Sequence, residues 1–125
     1  MGATRFSVVS EDLTTNTTVK ANANTASMAV EDFEKNNTNT GAGGAIVLTL
    51  PAASKLTEQK CRIQLTVAQT VTLTPQTGEK ISLGGSNVAS KYLLIAGVIG
   101  NYCELYCDGI QFYVTGYSGV VTKES

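Results

Sequence analysis

Residues 102–116 read YCELYCDGIQFYVTG. Asp108-Gly109 stands between two runs in which apolar and polar residues alternate, the strongest short-range signal for a two-residue β-hairpin. That turn pairs Cys107 with Ile110, Leu105 with Phe112 and Cys103 with Val114 on one apolar face. The other face carries Tyr106 against Gln111, Glu104 against Tyr113 and Tyr102 against Thr115. A slip of one residue would exchange the faces, so the alternation sets the register. The ribbon predicts the centre of an all-β domain.

Working outward, residues 60–68 alternate in the same way. Cys61, Ile63, Leu65 and Val67 point inward, and Arg62, Gln64 and Thr66 point outward. Residues 69–74 add Val71 and Leu73 to the inner face. Residues 45–50 form a strand with Ile46, Leu48 and Leu50 on one side, ended by Pro51, which cannot donate to a ladder. Thr74-Pro75-Gln76-Thr77-Gly78 carries the signature of a type I turn, and a short strand at 80–83 closes at Gly84-Gly85. Residues 92–99, YLLIAGVI, are apolar on both faces, so this strand needs a second cover, from the other sheet or from another subunit. Residues 26–30 read as a strand running into a turn at Glu31-Asp32, residues 36–44 as a loop, and residues 120–122 as a last strand. Eight to ten short strands with frequent turn signals predict an antiparallel β-sandwich or jelly roll.

Residues 1–24 read as an N-terminal arm, with a short strand at 4–9, and residues 25–125 as the sandwich domain. The arm has little to bury, and the rest already reads as a complete domain. It is therefore expected to reach onto a neighbouring subunit or a larger assembly, with Arg5, Phe6 and Val8 as its contact residues.

The bulk numbers exclude several classes. Net charge is −1, from 9 basic and 10 acidic residues. That leaves no electrostatic footprint for nucleic acid or an anionic membrane. No apolar run approaches the ~18 residues of a membrane span. The start, MGATRFSVV, lacks the basic and apolar regions of a secretion signal. Charged residues make up only 15% of the chain, which suits a protein largely covered by neighbours.

Chemistry is sparse. With no histidine in the chain, a Ser-His or Cys-His nucleophile is ruled out. The odd count of three cysteines argues against a disulfide framework. Cys103 and Cys107 lie four apart on one strand, so their Cα atoms are ~13 Å apart, beyond the ~7 Å a bridge allows. They read as small buried hydrophobes. No zinc site, metal, cofactor or catalytic residue is expected. The glycines of GAGG at 41–44 lack the Lys-Ser/Thr of a phosphate loop. Glu104, flanked by Tyr102 and Tyr106 and set opposite Tyr113, is the carboxylate of interest. Tyrosine is enriched at interfaces, so this face ranks as subunit contact ahead of sugar binding. The candidate interface residues are Tyr92, Leu94, Tyr102, Glu104, Tyr106 and Tyr113.

Three stretches, in order, resemble a pattern of tailed-phage virion proteins. TNTGAGGAIVLTLPAAS at 38–54 is similar to an Asn-Thr-Gly loop leading into a strand that ends Leu-Pro-Ala-Ala. AQTVTLTPQTGEKI at 68–81 resembles the Thr-Pro-x-x-Gly turn and the isoleucine after it. CDGIQFYVTGYSG at 107–119 resembles the closing Asp-Gly hairpin and its exit. Phe112 stands where a tryptophan is frequent, and residues 31–35 read EDFEK in place of Asp-Ser-Gly-Lys. The resemblance covers about residues 25–122. It implies a small non-enzymatic β domain that assembles as a homotrimer, in a capsid decoration (cement) protein or a tail-fibre tip. A chain this short, with no shaft, fits decoration better. The expected partners are itself and the major capsid protein of the head. The expected location is the capsid surface of the virion, after synthesis in the host cytoplasm. The alternative is a receptor- or glycan-binding tip of a tail fibre or spike.

Overall fold

A computed structural model describes residues 18–85 and 87–124. Strands make up 43% of these and helix 7%, so the chain is a mostly β protein. Eleven strands are β1 (Val19–Ala21), β2 (Ala26–Ser27), β3 (Asn36–Thr38), β4 (Ile46–Thr49), β5 (Gln59–Gln64), β6 (Val71–Thr74), β7 (Ile81–Ser82), β8 (Leu93–Ile95), β9 (Tyr102–Cys107), β10 (Phe112–Ser118) and β11 (Val121–Lys123). A single helical turn, α1, spans Val30–Phe33, and a 3-10 turn spans Ala53–Lys55. The short strand expected at 4–9, and most of the arm expected at 1–24, lie outside the described residues.

The strands form a six-stranded sheet, β1-β3-β5-β9-β10-β7, and a five-stranded sheet, β11-β8-β6-β4-β2. From β1 to β8 each strand lies in the opposite sheet from its predecessor. Among the first six, strands two apart in sequence are therefore parallel neighbours. Val19 pairs with Asn36 and Asn36 with Arg62, while Ala26 pairs with Leu48 and Leu48 with Leu73. The first six strands are thus three windings of a flat coil. The last strands close it with antiparallel pairs, β5–β9, β9–β10, β6–β8 and β8–β11. The sequence predicted antiparallel pairing throughout, and the structure corrects this: both sheets are mixed. The cause is that each turn carries the chain across to the other sheet and not back beside itself.

Most of the predicted core is observed, with Ile110 the exception in solvent and Phe33 and Leu56 added to it. Cys61, Ile63, Leu65, Cys103, Leu105, Cys107 and Phe112 from the first sheet meet Ile46, Leu48, Leu50, Val71, Leu73, Leu93 and Ile95 from the second in one buried cluster. Each fully buried aliphatic or aromatic side chain contributes roughly 1.5–3 kcal/mol. Val121 adds the predicted last strand to that core.

Several boundaries move. The strand expected at 26–30 stops at Ser27, because Met28 and Phe33 both turn into the core and a helical turn is the shortest path between them. The loop expected at 36–44 begins with strand β3, whose Asn37 is fully buried. The doubly apolar strand expected at 92–99 is only Leu93–Ile95. Leu93 and Ile95 enter the core, while Val98 and Ile99 sit exposed in the following turn. The turn expected with Pro75 at its second position lies two residues later, where Glu79 N donates to Gln76 O at 2.9 Å and Gly78 takes φ +87°. Glycine at that place gives a type II turn its positive φ.

Asparagines hold the corners of the windings. Asn39 is fully buried. Its Oδ1 accepts from Thr66 N at 2.8 Å and Val67 N at 3.1 Å, and its Nδ2 donates to Val67 O at 3.1 Å and Gln69 O at 3.0 Å. Asn37 Nδ2 donates to the Asp32 and Lys35 carbonyls, each at 3.0 Å. Asn22 Nδ2 reaches Asn37 Oδ1 at 3.3 Å in the winding below. A corner cannot satisfy its backbone groups by a ladder, and an amide supplies both donor and acceptor in their place.

Candidate interaction face

The hairpin exists, but its turn is centred one residue later than predicted. Cys107 pairs with Phe112, Tyr106 with Tyr113 and Leu105 with Val114. Gly109 (φ +93°) is the first central residue and Ile110 the second, the arrangement of a type II′ turn. Asp108 flanks the turn and does not form its tip. Its Oδ1 accepts from Ile110 N at 2.8 Å and Gln111 N at 2.9 Å, and its Oδ2 from the Tyr113 hydroxyl at 2.9 Å. The move of two in register keeps Cys103, Leu105, Cys107 and Phe112 inward but leaves Ile110 in solvent. A bulge at Thr115 shifts the pairing again, so that Glu104 faces Gly116 and Cys103 faces Tyr117. The predicted pairs of Glu104 with Tyr113 and Tyr102 with Thr115 are therefore replaced.

Asp108 makes the loop pH-sensitive. The Gln111 and Ile110 amides hold its carboxyl below the ordinary carboxylate value, with help from the Tyr113 hydroxyl. A depressed folded pKa contributes stability above the unfolded value, about 3.9, and loses it as pH falls through the folded value. The melting temperature of the wild type is expected to exceed that of Asp108→Ala at neutral pH and to converge on it in acid. A gap that stays constant between about pH 5 and pH 2 would trace the difference to something other than this carboxylate.

Four of the six candidate interface residues lie on one surface. Tyr102, Glu104, Tyr106 and Tyr113 occupy the outer face of the six-stranded sheet, each half-buried. Sequence reasoning missed the residue that organises them, Arg62 on β5. Its Nη1 donates to Glu104 Oε2 at 3.0 Å, and its guanidinium lies 4.1 Å from the Tyr102 ring centroid. Tyr106 and Tyr113 lie alongside, their rings tilted by 31° with centroids 6.3 Å apart. A cleft of about 590 Å³ opens on this face beside Lys35, Lys60, Arg62, Gln64, Glu104 and Thr115. The alternation at 60–68 already placed Arg62 outward. What it lacked was the pairing of Arg62 with Glu104 across β5 and β9, which only the topology supplies. Tyr92 and Leu94 lie elsewhere: Leu94 pairs with Thr72 and Thr122 on the five-stranded sheet, with Tyr92 just before it. Arg5, Phe6 and Val8 lie outside the described residues.

The exposed ion pair contributes little to stability, since solvent screens it. Its effect is to fix geometry: charge, ring and carboxylate are held in place before any partner arrives. The three cysteines are free and buried, as predicted. Burial raises all three thiol pKa values, that of Cys103 to about 12. They stay protonated at neutral pH, the form that neither attacks nor binds metal. Among the described residues no group of three or more His, Cys, Asp and Glu side chains could hold a metal, and no helix is long and apolar enough to cross a membrane.

No family model matches the chain, and no curated protein matches it either.

Proposed function

We propose that this protein is a non-enzymatic structural component of a phage virion, a decoration (cement) protein that binds the assembled head as a trimer and stabilises it. The observation that carries this reading is the pre-set outer face of the six-stranded sheet, where Arg62, Tyr102 and Glu104 interlock beside the paired rings of Tyr106 and Tyr113. Tyrosine and arginine dominate contact energies at protein interfaces. The three resembling stretches support it too. The first contains β4 and the loop before it, the second contains β6 and the turn after it, and the third runs from the last residue of β9 through the hairpin turn and β10. A trimer touching several shell subunits gains avidity from contacts that are individually weak. Binding the assembled shell but not its free subunits stabilises the shell by mass action.

The test is co-sedimentation with purified empty heads of the expanded form. The wild type is expected to pellet with heads and raise their dissociation temperature. Arg62→Ala and Tyr106→Ala are each expected to weaken binding about tenfold, equivalent to ~1.4 kcal/mol, while the melting temperature changes little. A folded wild type that never pellets with heads would overturn the proposal. A second reading, a glycan-binding tail tip, rests on the same tyrosines. Binding to host cells or surface polysaccharide without affinity for heads would select it.

A further inference from the structure

The two ends of the sandwich differ in charge. One end is built from the loops at 22–25, 39–45, 65–70, 96–101 and 119–120, as the strand pairings require: Thr38 lies beside Gln64, Gln64 beside Tyr102, and Tyr102 beside Ser118, while Val71 and Val121 both pair with Ile95. None of these five loops contains Asp, Glu, Lys or Arg. The opposite end carries Glu31, Asp32, Glu34, Lys35, Lys55, Glu58, Glu79, Lys80, Lys91 and Asp108 in its connections.

Three large apolar side chains stand in solvent at the charge-free end. Val98 is 59% exposed, Ile99 66% and Val120 60%. Their two turns are bound to each other. Ala96 N donates to Val120 O at 3.0 Å, and the buried Asn101, which holds Ala96 O through its Nδ2, packs against Gly119. The three apolar residues therefore form one fixed patch.

We infer that this end is the self-association surface, where copies of the chain meet around a rotation axis. The inference rests on the trimer reading above and moves the self-contact from the tyrosine face, where the sequence placed it, to this end. The argument is one of symmetry. Residues that sit on a rotation axis meet their own copies in the neighbouring subunits. A charge there would face the same charge, and like-charge juxtaposition is costly. A surface made for a different protein has no such constraint, and such interfaces commonly use complementary charges. Five consecutive loops without a charge, crowned by exposed valine and isoleucine, satisfy the self-contact requirement. Six strands ~4.8 Å apart and two sheets ~10 Å apart give the end a backbone footprint of about 25 Å by 10 Å. That is less than the ~800 Å² per partner of a standard stable interface. The oligomer is therefore expected to dissociate on dilution.

The experiment is light scattering of the full chain across a dilution series, with Ile99→Asp, Val120→Asp and the control Ile110→Asp, which is exposed at the other end of β9. The wild type is expected to rise from 13.1 kDa towards three times that mass with concentration. Ile99→Asp and Val120→Asp are expected to stay monomeric with unchanged circular dichroism, and Ile110→Asp to behave as the wild type. If an aspartate variant fails to fold, Ile99→Thr, which removes apolar area without adding charge, is expected to shift the midpoint to higher concentration. A wild-type oligomer unmoved by all these end variants overturns the inference and leaves the trimer reading standing. A wild type monomeric throughout overturns both, while head binding is still decided by its own assay.

Discussion

Asn39→Ala is expected to remove about 3–4 kcal/mol of stability, because four backbone hydrogen bonds, each worth about 1 kcal/mol, are lost at once. Thr66 N, Val67 N, Val67 O and Gln69 O all bond this one amide. The ordinary stability of a domain is ~5–15 kcal/mol, so the loss is a large share of the whole. Chemical denaturation would read it as a lower midpoint with the same slope. Asn39→Asp separates the roles of the two ends of the amide. Its carboxylate keeps the acceptor but turns a second negative oxygen towards the Val67 and Gln69 carbonyls. That raises its folded pKa, so its stabilising protonated form is fully present below about 3.9 and is lost as pH rises through the folded value. Asn39→Asp is expected to be as unstable as Asn39→Ala at neutral pH and to recover relative to it in acid. Equal deficits at all pH values would show that the amide nitrogen contributes nothing.

The second large effect is expected at Phe112. Its ring is fully buried, 5.9 Å from the Phe33 ring, and its strand joins β9 to β7. Phe112→Ala removes the transfer energy of the ring and leaves a cavity under the helical turn, about 3–5 kcal/mol together. The melting temperature should fall by roughly 10–20 °C. Phe112→Leu, which keeps most of the volume, is expected to cost under about 1.5 kcal/mol. Similar losses for both would place the energy in the ring contact with Phe33 and not in filled volume.

These two residues also mark what the sequence made legible. Phe112 was readable as core because it sits in a period-2 pattern, as do Cys61, Ile63, Leu48 and Leu73. Asn39 was not, because a polar residue among threonines and glycines reads as loop. Only the corner of a winding, with its unpaired amides, turns that residue into part of the interior. Topology was hidden for a related reason. Alternation tells which side of a strand is buried but not which strand lies next to it, so the mixed sheets and the Arg62–Glu104 contact were out of reach. The hairpin was legible in its faces and not in its register. Asp108 was read as a turn residue, whereas its carboxylate binds the turn from outside. The low charge content was visible from the start. Its concentration at one end became visible only once the loops had been assigned to ends.

The winding has a consequence for the chain during synthesis. Each of the two turns that stack β1, β3 and β5 closes a loop of 17 or 26 residues. The entropy of closing these differs by only ~0.4 kcal/mol, so neither is strongly favoured over the other. All three windings can form once residue 74 has left the ribosome, since chains tend to fold from the N-terminus as they emerge. At that moment β5 and β6 are open edges with Cys61, Ile63, Val71 and Leu73 beside them. Their partners β9 and β8 have not yet emerged. An open, apolar edge pairs with whatever strand it meets. The nascent protein is thus most exposed to aggregation between residue 74 and the arrival of residues 93–107, and the last third of the chain works as its own protecting cover.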